Sequence, residues 1–148
     1  MTSHSELRIR EMLNKLREKS FRVTPQRYAV VRVLSESKNH PSVERIYEEV
    51  KADFPTTSLA TIYKTINLLK DVGEVTELEF SHGSSRYDGR NPHPHPHLIC
   101  LQCNDIVDPD VDTLHDLPKD LAKKTGFKIL YQRMDFFGIC PICQKKSH

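Results

Sequence analysis

A chain of 148 residues with 37% hydrophobic and 28% charged content can bury one or two small cores, is too apolar to read as disordered, and leaves no room for a large enzyme domain. Nowhere do ~18 apolar residues run together, and the charged segment 1–11 leads into no apolar core, so the expectation is a cytoplasmic protein that neither enters a membrane nor is exported. Net charge is only +2, but residues 1–33 hold eight Lys or Arg against three Glu, an excess able to neutralise phosphates, although a solvated helical face is the commoner meaning of such a run.

Leu7, Ile9, Leu13 and Leu16 form a rough stripe that predicts a first helix over residues 5–19. Thr24-Pro25 offers an N-cap followed by proline at the first helical position, and Tyr28, Val31 and Leu34 recur on one face of a second helix over 25–37. Ser42 caps a third helix with Val43, Ile46, Tyr47 and Val50 inward, ended by Phe54-Pro55. Ser58 caps a fourth, with Leu59, Ile62, Ile66 and Leu69 inward and a stop at Gly73. Its other face shows Thr61, Tyr63, Lys64 and Asn67, whose hydroxyl, ammonium and amide groups suit base edges and phosphates. Residues 74–80, the turn Ser81-His82-Gly83 and residues 84–87 then read as a strand, turn and strand, the wing of a winged helix. Periodicity alone does not exclude a plain helical bundle with a hairpin.

Polar residues 89–92 mark a domain boundary. Beyond it, residues 98–101 and 105–107 are strand candidates, 113–125 is helical in pattern and 127–137 reads as an aromatic-rich strand. The fold class expected is α+β: a winged helix-turn-helix over 1–88, then a small α/β dimerisation domain over 89–148.

Four cysteines occur as Cys100-Leu-Gln-Cys103 and Cys140-Pro-Ile-Cys143, with none left over. Each pair can present two thiolates from a tight turn, and four thiolates make the closed tetrahedral shell of a structural Zn2+ site; a redox dithiol is the weaker reading. A second constellation, Asp88, His93, His95, His97 and Asp108, with His40 from the first half, mixes imidazole and carboxylate without thiolate. That donor set suits Fe2+ or Mn2+ better than a structural zinc. The run Pro92-His-Pro-His-Pro-His97 has the period to place three histidines on one side of an extended, stiff segment.

Arg22-Val-Thr-Pro-Gln-Arg27, His40-Pro41-Ser42 with Ile46-Tyr47, and Ser58-Leu-Ala-Thr-Ile-Tyr63 together resemble the DNA-binding domain of the ferric uptake regulator family, and the resemblance continues over nearly the whole chain. It implies that the helix bearing Ala-Thr-Ile-Tyr enters the major groove of a double-stranded DNA operator, with Tyr63 as a contact and Thr61 and Lys64 beside it. It also implies a homodimer and a regulatory metal site of His40, Asp88, His95, His97 and Asp108. Ser84-Ser-Arg-Tyr-Asp88 and Ile106-Val-Asp108 resemble the peroxide-sensing PerR branch, in which both positions are aspartate, where iron-responsive members typically carry glutamate. That branch implies hydrogen peroxide as the signal and iron-dependent oxidation of His40 and His95, with Mn2+ supporting DNA binding but resisting peroxide.

The rival within the fold is an iron-responsive or zinc-responsive repressor. From other classes, a zinc-dependent hydrolase or deaminase lacks the H-E-x-x-H, or the H-x-E with P-C-x-x-C, that it would need. A zinc-stapled interaction module is the blandest reading. His82, His93 and His115 remain candidates for a third metal site, His115 more simply as a surface residue.

Overall fold

The computed structural model describes residues 3–79, 85–90, 95–109, 116–130 and 132–146. The chain divides into two compact units, Met1–Pro92 and His93–His148. The first is built on four helices: α1 (His4–Glu18), α2 (Pro25–Glu36), α3 (Val43–Asp53) and α4 (Leu59–Asp71). Each is opened by a hydroxyl that accepts a hydrogen bond from the third backbone N–H beyond it: Ser3 from Glu6, Thr24 from Arg27, Ser42 from Arg45 and Ser58 from Thr61. At α1 the bond is reciprocated, because the Glu6 carboxylate accepts from the Ser3 N–H and closes a capping box.

Helix α2 packs against α1, α3 and α4. Between them lie Met12 and Leu16, Val30 and Leu34, Ile46 and Val50, and Ile62, Ile66 and Leu69, spaced three, four or seven apart within each helix. Full burial of such side chains contributes about 1.5–3 kcal/mol each relative to exposure. The inward face differs from the expected stripe in places. Leu7, Tyr28 and Leu59 are exposed, while Arg8 is buried with α1 and Val30 with α2.

Arg8 can be buried because every nitrogen of its guanidinium has an acceptor: Nε donates to the Gly89 carbonyl at 2.9 Å, Nη1 to Glu74 at 2.9 Å and Glu11 at 2.6 Å, and Nη2 to the Glu74 carbonyl at 3.0 Å.

After α4 the chain turns at Gly73, whose φ of 79° falls in the left-handed region, and forms an antiparallel pair, β1 (Thr76–Leu78) with β2 (Arg86–Asp88). Both strands are shorter than expected, and β2 runs one residue further, through Asp88. The expected wing turn at residues 81–83 lies outside the described residues, as do His82, His93 and His115.

The second unit contains β3 (Pro96–Cys100), β4 (Ile106–Val107), α5 (Leu117–Thr125), β5 (Met134–Gly138) and α6 (Pro141–Lys146). Its sheet has the order β4-β3-β5, with β3 antiparallel to β4 and parallel to β5. A parallel partner needs a crossover, and the segment containing α5 supplies it.

Two expectations are corrected here. Residues 127–130 are not strand, because β5 extends only as far as the five-residue β3 can pair with it, and Phe127 and Leu130 are left exposed. Among the described residues the helix begins at Leu117, after Asp116, and α6 was not anticipated. The sheet's exposed face carries an apolar row, Val107, Leu98 and Phe136, that crosses all three strands in register. Helix α5 buries none of its residues. No helix among the described residues is long and apolar enough to cross a membrane.

Candidate metal centres

In the first unit His40 and Asp88 meet, with Nε2 of His40 3.2 Å from Oδ2 of Asp88 and both side chains 3% exposed. The backbone that delivers His40 is unusual. Its φ is 53°, a left-handed conformation that a non-glycine residue holds only when its surroundings impose it. Those surroundings are β2: the Arg86 guanidinium donates to the carbonyls of both Asn39 and His40, and the Tyr87 N–H donates to the Pro41 carbonyl at 3.0 Å.

Asp88 is fixed from the other side, its Oδ1 accepting from the Arg90 N–H at 3.0 Å. The next residue has to be glycine. A Cβ on Gly89 would lie 2.7 Å from Leu34 Cβ and 3.1 Å from Met12 Cε, so only a bare backbone can press into this cleft and present its carbonyl to Arg8.

In the second unit His95 Nε2 lies 3.2 Å from Asp108 Oδ2, and His97 Nε2 lies 3.7 Å from Asp108 Oδ1. The two rings are tilted at 52° with centroids 4.4 Å apart, and their Nε2 atoms converge on one carboxylate. Strand β3 holds His97, and Asp108 stands one step past β4, opposite His97 in the antiparallel register. In each unit, then, imidazole nitrogens face aspartate oxygens in a buried or half-buried setting. This borderline donor chemistry fits Fe2+ or Mn2+.

The four cysteine sulfurs form a second cluster, each within 4.8 Å of the others, and none is in a disulfide. A knuckle after β3 supplies the first pair: the Asn104 N–H donates to the Cys100 carbonyl at 2.9 Å, with Asn104 at a φ of 62°. The second pair spans the start of α6, where the Cys140 N–H donates to Cys100 Sγ at 3.4 Å and the Cys143 N–H to Cys140 Sγ at 3.5 Å. N–H groups of Cys103 and Cys140 draw the Cys100 thiol down to about 6. Cys143 is pushed up to about 12 by its hydrogen bond with the Cys140 side chain and by burial. Four clustered sulfurs cannot all ionise unaided, and a divalent cation reverses that balance by binding thiolates, so this set fits Zn2+.

On α4 Tyr63, Lys64 and Asn67 are exposed and Thr61 is half-buried. Thr61 Oγ1 lies 2.9 Å from the cap hydroxyl of Ser58, which ties it to the helix start, while Tyr63 and Lys64 project outward. The sequence had given no place in a metal site to Arg8, Arg86, Gly89 or Asp135. For Asp135 a signal was present, a lone acid in the otherwise apolar strand Met134-Asp-Phe-Phe137. The others depend on packing between segments far apart in sequence.

The chain is 40% identical over 141 residues, 95% of its length and 95% of the relative's, to the peroxide-responsive repressor PerR of Staphylococcus aureus strain Mu50. Its fold matches the Helicobacter pylori ferric uptake regulator, a structure described as having three functional metal binding sites, with a TM-score of 0.79 at 25% identity over 99% of this chain and 98% of that one. It also matches the Campylobacter jejuni peroxide stress regulator, with a TM-score of 0.72 at 31% identity over 90% and 97%. The model of the ferric uptake regulator family matches residues 18–137, and the chain belongs to that family.

Proposed function

We propose that this chain is a homodimeric, metal-dependent transcriptional repressor that binds a pseudo-palindromic DNA operator and responds to hydrogen peroxide. The observation that carries the reading is the pairing of aspartate with histidine in both units, without sulfur: Asp88 with His40, and Asp108 with His95 and His97. The likeness to a peroxide-responsive repressor along 95% of the chain supports it, and makes the protein a regulator and not a turnover enzyme.

Residues 1–88 would serve as the DNA-binding domain, with Tyr63 and Lys64 reaching the major groove and Thr61 at its edge. Residues 89–148 would dimerise, a role supported by the apolar row Val107, Leu98 and Phe136 and by the unburied α5. A twofold dimer presents two recognition helices, hence a pseudo-palindrome. Cys100, Cys103, Cys140 and Cys143 would hold a structural Zn2+. We assign its place of action to the cytoplasm.

His40, Asp88, His95, His97 and Asp108 would serve one regulatory ion. Iron(II) bound there would supply the electron that turns hydrogen peroxide into an oxidant beside the imidazoles, while manganese(II) would engage the same residues without that chemistry. His40 and His95 are the rings assigned to take up oxygen. An oxygenated imidazole loses basicity and donor direction, so the ligand set weakens. Because ligands come from both halves of the sequence, occupancy favours only conformations that assemble them all, and their loss releases the operator.

Peptide mass spectrometry after near-stoichiometric peroxide tests this. One added oxygen on the peptides of His40 and His95 in iron-loaded but not manganese-loaded protein, with loss of operator binding, is expected. Unmodified histidines and intact DNA affinity in the iron form would leave an iron-responsive or zinc-responsive repressor of the same fold.

A further inference from the structure

His97 occupies the middle strand of the second unit's sheet, and the register gives it a carboxylate on each side. Toward β4 stands Asp108, 3.7 Å from Nε2. Toward β5, Asp135 is its Cα partner in the parallel pairing, and Oδ1 of Asp135 lies 3.6 Å from Nδ1 of His97. Residues paired in register share a face of the sheet, so both carboxylates lie on the side opposite the apolar row.

The two oxygens of Asp135 are differently employed. Oδ2 accepts from Arg133 Nη2 at 2.8 Å, which anchors the side chain. Oδ1 is buried and, among the described residues, has no hydrogen-bond partner. A buried acceptor left open is costly, and here it faces a ring nitrogen that donates in only one tautomer. A separation of 3.6 Å exceeds a hydrogen bond, and a shift of under ~1 Å closes it.

We propose that Asp135 is a positioning residue for the regulatory metal: it holds the proton of His97 on Nδ1, which leaves the Nε2 lone pair directed at the Asp108 side. The inference rests on the regulatory-site reading above. Neutral imidazole carries one proton between two nitrogens, and a carboxylate behind Nδ1 decides which nitrogen is left to bind. Such a partner also makes the ligating nitrogen more basic and fixes the plane of the ring. Arg133 neutralises the second oxygen, so the carboxylate supplies an acceptor without adding a net charge.

The test uses full-length protein with its structural zinc, titrated with manganese(II) by calorimetry. D135A is expected to weaken manganese binding ~10- to 100-fold with the stoichiometry unchanged, D135N to weaken it less, and D135E to recover most of it. R133A, which removes the Oδ2 partner that anchors Asp135, is expected to fall between wild type and D135A. Zinc content and thermal unfolding identify any variant that has lost its fold, and D135N, isosteric with the wild type, carries the test if D135A does.

A merely structural Asp135 would not move the second readout. With zinc(II) as a diamagnetic probe at the regulatory site, proton–nitrogen correlation spectra of the wild type and D135E are expected to show a protected proton on Nδ1 of His97, absent from D135A. Unchanged manganese affinity and an unchanged Nδ1 proton in a folded D135A protein would overturn the proposal. So would loss of a whole manganese equivalent, as H97A should give, because Asp135 would then be a ligand. If H97A and D108A themselves bind manganese like wild type, the regulatory-site reading fails as well; if they lose it and D135A does not, only the role of Asp135 falls.

Discussion

At Gly89 the first unit has little freedom. Its missing Cβ lets the backbone after Asp88 settle against Leu34 and Met12, so G89A overpacks a site lined by the Leu34 Cβ, which α2 holds in place, and a buried methionine. We expect G89A to lower stability by about 1–3 kcal/mol in urea unfolding, with manganese affinity falling as Asp88 is displaced. A second residue-scale prediction concerns Glu77, whose carboxyl is held below its ordinary value by its hydrogen bond with Lys70. A depressed folded value means the stabilisation is present above the unfolded pKa of ~4.3 and is lost as pH falls through the lower, folded one. E77Q should therefore cost about 0.5 kcal/mol at neutral pH, and its unfolding curve should converge with wild type below the folded value, as parallel denaturations would record. At this scale the sequence was legible where chemistry is local. Thr24-Pro25, Ser42 and Ser58 announce their helices because a cap and its N–H lie three residues apart. The left-handed backbone of His40 could not be foreseen, since it is imposed by Arg86, forty-six residues away.

Among the elements, helices were easier to place than strands for a physical reason. A helix closes its own hydrogen bonds, so its limits are written in its caps, whereas a strand is as long as its partner allows. That is why β5 stops at five residues although the aromatic run begins at Phe127. The spacing of Cys100, Cys103, Cys140 and Cys143 was legible as a sulfur cluster because each pair is held by one tight turn, and the structure brings all four sulfurs within 4.8 Å of one another. We expect C103S to lose zinc by elemental analysis and to loosen α6, with reduced helical circular dichroism and increased protease cleavage after residue 138. The apolar row makes a separate prediction. F136E should shift the protein from dimer to monomer in sedimentation equilibrium while keeping its manganese affinity, because Phe136 lies on the sheet face away from His97.

For the molecule as a whole, the fold family and the donor types of both candidate metal centres could be read from the sequence, but which of the candidate histidines and aspartates serve as ligands came from resemblance and not from spacing. The helix face bearing Tyr63 gives the decisive whole-protein experiment: Y63A should lose at least tenfold in operator affinity by gel retardation with manganese(II) binding unaltered. The reverse coupling also follows, and operator DNA should tighten manganese by the same factor by which manganese tightens the operator. The sheet of the second unit has one further consequence. Along β3 the side chains alternate, so His97 and Leu98 serve opposite faces, one turned to Asp108 and Asp135, the other to Val107 and Phe136. A one-residue insertion or deletion within the strand exchanges the two faces in a single stroke. On the function proposed above, metal affinity and self-association would thus be written into one reading frame of the backbone. Such a strand tolerates substitution at either face but not a change of length, and descendants of this chain can retune the two properties separately only by replacing side chains.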